Sequence, residues 1–317
     1  MKVFVTGVGG QLGYDVACEL LRRKYEVVGS DVAPEAPNAF AELMASNDKC
    51  YYVPLDITDK NAVLAEFVDA HLDAVIHCAA WTAVDAAEEP KNYETVYNVN
   101  VMGSQNIAKS CAALDVKIIY ISTDYVFDGS GTKPWDPDCI DYSPINVYGQ
   151  TKLSGEYVVS IFQKKNYIVR IAWVFGKNGT NFVKTMLQVG KTHKDLRVVN
   201  DQIGTPTYTF DLARLLVDMA ETEKYGYYHA TNEGGYISWY EFALEIFRQA
   251  AEKWPEAGYG DVSVVPVSTE EYGLSLAARP FNSRLDKSKL SENGFERLPD
   301  WKDALARYLD ELDINEL

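Results

Sequence analysis

No stretch of the sequence stays apolar for the roughly 18–20 residues that a helix needs to cross a bilayer. The N-terminal MKVFVTGVGG also lacks the apolar segment and small-residue cleavage site of a secretory signal. Neither a membrane span nor export is expected. Histidine is scarce: the four residues, at 71, 77, 193 and 229, are scattered and suggest no metal site. The cysteines Cys18, Cys50, Cys78, Cys111 and Cys139 are odd in number and include no Cys-x-x-Cys pair. That pattern fits reduced, buried thiols in a cytoplasmic protein better than a disulfide framework. Positive charge is also short, with 30 Lys and Arg against 46 Asp and Glu and a formal net charge of -16. Such a surplus disfavours nucleic acid and anionic membranes as partners. It also requires that any anionic ligand be held by local positive groups. Low-complexity segments and internal repeats are missing as well.

What remains is the composition of a globular protein, 47% hydrophobic and 24% charged, long enough at 317 residues for one large core or two domains. Short apolar runs recur as strands: KVFVT (2–6), EVVGS (26–30), YYVPL (51–55), DAVIHC (73–78), VKIIYIS (116–122) and YIVRIA (167–172). Between them lie helical patterns, the first with Leu12, Val16, Leu20 and Leu21 on one face, then 61–70, 100–114 and 148–163. Strands alternating with helices imply βαβ units and a parallel sheet. The fold class is therefore α/β, a Rossmann-type doubly wound parallel sheet over 1–175, followed by a smaller C-terminal α/β substrate lobe over 176–317. In that lobe NFVKTMLQVGK, WYEFALEIFRQAAEKW and a stretch near 300–312 read as helices, and LRVVN, GYYHA and VSVVP as short strands. The segment near 205–230 is compatible with a return to the first domain.

TGVGGQLG places Gly7, Gly10 and Gly13 between the first strand and the first helix. The first glycine permits the tight turn, the second lets the backbone approach a pyrophosphate, and the third lets helix and sheet pack closely. Position at the very start of a βαβ unit is what raises this spacing above a chance triplet. Asp31 ends the second strand, followed by Val32, where a carboxylate accepts hydrogen bonds from adenosine ribose hydroxyls and repels a 2′-phosphate. A plain turn aspartate would account for it too. Asp56 and Ile57 follow the third strand, where the adenine edge is expected. Ala79 and Ala80 follow the fourth, small residues where backbone passes close to a cofactor.

Tyr148 and Lys152, in NVYGQTKLSGE, share one face of a predicted helix. A phenol, with a pKa of about 10, is a poor acid or base at neutral pH. A nearby ammonium is expected to lower it. STDYVFDG (122–129) ends the fifth strand, on the side where ligands bind in this fold. Thr123 is there to hydrogen-bond a carbonyl, Asp124 and Tyr125 to meet a polar substrate, and Asp128-Gly129 to reverse the chain. A capped turn without a ligand is the alternative.

These residues resemble the extended short-chain dehydrogenase/reductases. WTAVDAAEEP (81–90), STDYVFDG, YGQTKLSGE (148–156), RIAWVFG (170–176), NFVKTM (181–186), NDQIGTPTY (200–208) and RPFNSRLDKSKL (279–290) are, more narrowly, similar to the dTDP-4-dehydrorhamnose reductase family. The resemblance implies NADH- or NADPH-dependent reduction of the 4-keto group of dTDP-4-dehydro-β-L-rhamnose. In that scheme Tyr148 is the proton donor, Lys152 tunes it and holds the nicotinamide ribose, and Thr123 assists at the carbonyl oxygen. Gln11, Leu12, Trp81 and Thr82 join the cofactor set. Thr82, Asp124, Tyr125, Trp173, Asn181, Phe182 and Lys184 join the substrate set, the last three toward the nucleotide. Trp81 is bulkier than the family's small-residue turn suggests, and Tyr208 is expected at the pocket rim. Some members form a metal-bridged dimer through C-terminal carboxylates. Glu311 and Glu316 would serve, but a solvated acidic face explains them as well, and no metal ligand is assigned. The chain is expected to be a monomer or a homodimer. Two other readings stay open: an epimerase or dehydratase of the same superfamily, although the Asp-Glu pair of a dehydratase is incomplete at Asp124-Tyr125, and a non-catalytic subunit like the regulatory β subunit of methionine adenosyltransferase.

Overall fold

The computed structural model describes residues 1–315. Seven strands form the main sheet: β1 (Lys2–Thr6), β2 (Glu26–Asp31), β3 (Cys50–Pro54), β4 (Ala74–His77), β5 (Lys117–Thr123), β6 (Asn166–Ile171) and β7 (Gly226–His229). Their spatial order is β7-β6-β5-β4-β1-β2-β3, and every pairing is parallel. The strands are almost continuously apolar because helices cover both faces. On one face Val16 and Leu20 of helix Gln11–Arg22 pack with Leu212 and Leu216 of helix Thr209–Ala220. On the other, Val63, Phe67, Ile107 and Val159 come from helices Lys60–Ala70, Ser104–Ala113 and Val147–Phe162. The strand order reverses between β1 and β4, the switch point at which doubly wound sheets bind ligands.

The remaining elements gather around a second core of Val183, Leu187, Phe242, Ile246, Trp301 and Leu305. They include helices Phe182–Thr192, Trp239–Lys253 and Trp301–Asp310 and the parallel pair Asp195–Val199 and Ser263–Val267. β7 and the helix before it lie on the main sheet.

Helix Thr209–Ala220 has no counterpart in the sequence reading, and two further elements differ from it. Helix Asn38–Ser46 has no anticipated counterpart, because Phe40 is its one buried residue and one anchor makes no periodicity. Phe40 instead plugs the space over Gly29, where a Cβ would stand 2.2 Å from the ring. The helix expected at 100–114 opens with a π-helical turn, Asn98–Gly103. A Cβ at Gly103 would come within 2.6 Å of the Ile57 side chain, so glycine is what lets this turn approach the loop after β3. Among the described residues, no helix is long and apolar enough to cross a membrane. All five cysteines are unpaired, Cys50 and Cys111 buried and the other three partly exposed.

Candidate active site

A cleft of about 1160 Å³ lies along the carboxyl ends of the sheet. That exceeds the roughly 300–1,000 Å³ of a single-ligand pocket and leaves room for a dinucleotide beside a second molecule. Its floor is the glycine turn. Gly7 has a φ of +73°, and a Cβ there would stand 2.8 Å from the Ala79 amide nitrogen. At Gly13 a Cβ would come within 2.2 Å of the Gly7 carbonyl oxygen. Among the described residues no side chain caps the N-terminus of helix Gln11–Arg22, and its first turn lines the cleft, which leaves its first amides available to an anion. Asp31 braces the turn, Oδ2 accepting from the Gly9 amide at 2.9 Å and Oδ1 from Val32 at 2.8 Å. Arg22 and Arg23 engage Glu19, and Arg23 also engages Asp218 and Glu221, at the far end of the helix. A cradle that side chains would fill, an uncapped helix start and a carboxylate at the end of β2 together fit the pyrophosphate and ribose of a dinucleotide.

Gly7, Gly10, Gln11, Leu12, Gly13, Asp31, Val32, Asp56, Ile57, Ala79, Ala80, Trp81 and Thr82 all line this cleft. The loop after β4 is held by Asn100, a residue of the π-helical turn that the sequence reading did not single out. Its Oδ1 accepts from the Trp81 amide at 2.8 Å and its Nδ2 donates to Thr151 Oγ1 at 3.0 Å, which ties the loop to the helix bearing Tyr148. The bulk of Trp81 is accommodated by turning its indole N–H onto the Ala83 carbonyl at 3.0 Å.

Thr123, Tyr148 and Lys152 line the same cleft. Asn146 caps the helix that carries the last two, accepting from the Gly149 amide at 2.7 Å. Burial holds the Tyr148 phenol well above its ordinary range; the Asp124 charge adds to this and the Thr123 hydroxyl opposes it. Lys152 is brought toward neutrality: burial pulls it down to about 7, against the upward pull of Glu156 and Cys78. Its Nζ donates to the Ile121 carbonyl at 2.7 Å and lies 4.2 Å over the Tyr120 ring. Asp124, fully buried, is pushed up to about 6 by desolvation, against the opposing pull of the Ser283 and Thr123 hydroxyls. The Thr123 hydroxyl donates to Asp124 Oδ1 at 3.0 Å, while Asp124 Oδ2 has no partner among the described residues. Tyr125 packs edge-on against Tyr148, centroids 5.7 Å apart. Behind the site, Glu156 accepts two bonds from the Arg170 guanidinium, at 2.8 and 2.7 Å, and one from Ser122, with both ionic side chains wholly buried.

At the other end of the cleft, Trp173 adopts a φ of +52°, unusual for a bulky residue, and stacks on Trp239 at 3.8 Å. Phe182 packs on Trp239 in turn. Asn181 lines the cleft, but its side chain is committed to structure. Its Oδ1 caps helix Phe182–Thr192 at the Lys184 amide, and its Nδ2 donates to Gln11 Oε1 and the Gly176 carbonyl. Lys184, in the capped first turn beside Asn181, donates its ammonium to the carbonyls of Lys177 and Gly179. One expectation is corrected. Tyr208 is not at the rim: it is buried, stacked on Phe175, and donates to Glu311 Oε1 at 2.7 Å. Glu311 is thereby engaged within the chain, and Glu316 lies outside the described residues. No group of three or more potential metal ligands gathers among the described residues. The sequence reading also missed Arg279 and Trp239 in the lining. Arg279 opens the quoted RPFNSR segment and Trp239 opens a helix, but neither had a partner in view.

Residues 1–314 match the family model described as the RmlD substrate binding domain. The chain is 37% identical to the spore coat polysaccharide biosynthesis protein SpsK of Bacillus subtilis, over 98% of this chain and 97% of that one. It is 38% identical to a dTDP-4-dehydrorhamnose reductase of Aggregatibacter actinomycetemcomitans, over 96% and 97%. The crystal structure of dTDP-4-dehydrorhamnose reductase from Bacillus anthracis in complex with NADP superposes with a TM-score of 0.83 at 38% identity, covering 98% of this chain and 99% of that one.

Proposed function

The chain belongs to the RmlD substrate-binding-domain family, that of the dTDP-4-dehydrorhamnose reductases, and from that premise we propose that it reduces the 4-keto group of dTDP-4-dehydro-β-L-rhamnose to dTDP-L-rhamnose with NADH or NADPH. The observation that carries this reading is the convergence of Thr123, Tyr148 and Lys152 in one cleft with the glycine turn. The reduced nicotinamide, when bound, supplies the hydride. Tyr148, kept protonated by burial, holds the proton for the oxygen that becomes a hydroxyl. Thr123 lies beside it to hydrogen-bond that oxygen. Lys152 holds the nicotinamide ribose through its ammonium, and Asp31 the adenosine ribose. Asp124, Tyr125 and Trp173 face the sugar. We place this activity in the cytoplasm, with the protein acting as a monomer or a homodimer.

Position 125 argues against a dehydratase. A second carboxylate would be needed there, and the residue is a tyrosine packed on the proton donor. The test is oxidation of NADH and of NADPH by the purified protein, with and without the dTDP-4-keto sugar. Sugar-dependent oxidation yielding dTDP-L-rhamnose is expected. Tight binding of both ligands without turnover would instead favour the binding-subunit reading.

A further inference from the structure

We propose that Arg279 is the residue that recognises the diphosphate of the nucleotide sugar, held poised by Asp85 until that anion displaces it. The proposal rests on the cleft being a nucleotide-sugar site. The charge balance motivates it. Among the described residues, the cleft is lined by the carboxylates Asp31, Asp56 and Asp124 and by two cations, Lys152 and Arg279. The substrate brings a diphosphate into a protein of net charge -16. The glycine turn is matched to the cofactor's pyrophosphate, and the Lys152 ammonium is buried and tied to the Ile121 carbonyl. Arg279 is the cation that remains.

Its setting suits the task. Arg279 is about a quarter exposed and donates through Nη2 to Asp85 at 2.6 Å, through Nη1 to the Tyr125 hydroxyl at a long 3.3 Å, and through Nε to Ser275 Oγ at 3.2 Å. A guanidinium carries five N–H donors in a planar fork that matches phosphate oxygens, so capacity remains for a second anion. Tyr125 touches Arg279 through its hydroxyl and the Tyr148 ring through its edge. In a hexopyranose, the C4 keto group and the C1 diphosphate stand at opposite ends of the ring. Tyr125 separates the proton donor from the guanidinium in the same sense. The segment bearing Arg279 is fixed independently of that side chain: the Ala278 carbonyl accepts from Asn146 Nδ2 at 2.8 Å, and the Asn282 amide donates to the Gly129 carbonyl at 2.8 Å. Asp85 also accepts from the Ala277 amide at 3.0 Å. Asp85→Asn keeps that acceptor and removes the competing charge.

Calorimetric titration of dTDP and of thymidine into wild type, Arg279→Gln, Arg279→Lys and Asp85→Asn tests this, with NADH affinity and melting temperature measured on each. Arg279→Gln should weaken dTDP roughly 10- to 100-fold, as loss of a charged hydrogen bond does, and leave thymidine and NADH affinities in place. Arg279→Lys should fall between it and wild type. Asp85→Asn should tighten dTDP, an effect that a purely structural ion pair would not produce. Unchanged dTDP affinity in Arg279→Gln, equal losses for dTDP and thymidine, or weaker dTDP binding in Asp85→Asn would overturn the assignment. Wild type that binds NADH but neither dTDP nor thymidine would overturn the nucleotide-sugar reading itself.

Discussion

Lys152 donates its ammonium to the carbonyl of Ile121, at 2.7 Å, across the gap between the helix Val147–Phe162 and the end of β5. This contact divides labour within the Tyr-x-x-x-Lys pair. The ammonium is directed to the strand and to the Tyr120 ring. Burial then separates the two groups: the phenol moves above its ordinary range and the ammonium down to about 7.

The first prediction follows from that separation. The groups acting on Lys152 are Glu156 and Cys78, which raise its pKa. His77 lies close by but is held neutral, pushed down to about 3 chiefly by burial. Below the lysine's folded value the ammonium is present to fill the proposed role of donating to ribose hydroxyls; as pH rises through about 7 it is lost. NADH affinity should therefore be level on the acid side and weaken as pH rises through that value. Glu156→Gln, which removes the charge that favours the ammonium, should move the midpoint to lower pH. Fluorescence titration of NADH across pH reads this directly, and a flat profile in wild type would remove Lys152 from the ribose.

Replacing the proton donor gives the second. Tyr148→Phe should lower kcat by about 10²–10⁴-fold, the usual contribution of general acid catalysis, with NADH still bound. The Thr123 hydroxyl does not take over this role, because an aliphatic alcohol is a far weaker acid than a phenol. Lys152→Ala should lower both turnover and NADH affinity. Stopped-flow single turnovers separate the two effects; wild-type rates in Tyr148→Phe would falsify the assignment.

The buried pair behind the site supports a stability prediction. Arg170→Met leaves Glu156 buried without its cation, and breaking such a pair costs about 3–5 kcal/mol. The Glu156→Gln, Arg170→Met double variant should recover part of that loss, since the stranded charge is gone. Urea denaturation of the three variants checks the order; a double variant less stable than Arg170→Met would mean that packing around Arg170, not charge, is what matters.

Much of this site was legible in the sequence because its signals are local. The strands lie within a residue or two of their apolar runs, the glycine spacing sits on one turn, and Tyr148 and Lys152 are one helical turn apart. What escaped depends on contacts distant in the chain. Arg279 reaches the cleft because its segment hydrogen-bonds to Asn146 and Gly129, more than a hundred residues away. Asn100 is set by a π-helical turn that no periodicity announces. The role of Asn181 as the cap of helix Phe182–Thr192, with the Lys184 ammonium on the Gly179 carbonyl, is likewise not readable from the motif as a string. Tyr208 was misplaced because an aromatic in a polar motif reads as exposed, yet it is stacked in the core.

A fourth prediction concerns the aromatic wall. Trp173 and Trp239 stack at 3.8 Å with an interplanar angle of 17° and both line the cleft. Trp173→Ala should raise KM for the keto sugar and leave NADH affinity nearly unchanged. Trp239→Ala should act similarly, and the double variant should be less than additive, since each ring positions the other. If Trp173→Ala instead loses NADH or fails to fold, the residue serves the core and not the sugar.

The last prediction is cofactor preference. Asp31 ends β2 with its carboxylate fixed by the amides of Gly9 and Val32, a geometry in which it cannot easily swing away. A carboxylate there hydrogen-bonds a free 2′-hydroxyl and repels a 2′-phosphate. The residues that follow, Val32-Ala33-Pro34-Glu35, bring no cation, and Arg22 and Arg23 are engaged at the opposite end of helix Gln11–Arg22. NADH should therefore be used at least as well as NADPH, even though a relative of 38% identity was crystallised in complex with NADP. Asp31→Ala should shift the ratio toward NADPH, and Asp31→Asn, which keeps a hydrogen-bonding side chain without the charge, should shift it by less. Comparing kcat/KM for the two cofactors in the three proteins decides the matter: a strong NADPH preference in wild type, unmoved by either substitution, would mean that the ribose does not meet Asp31.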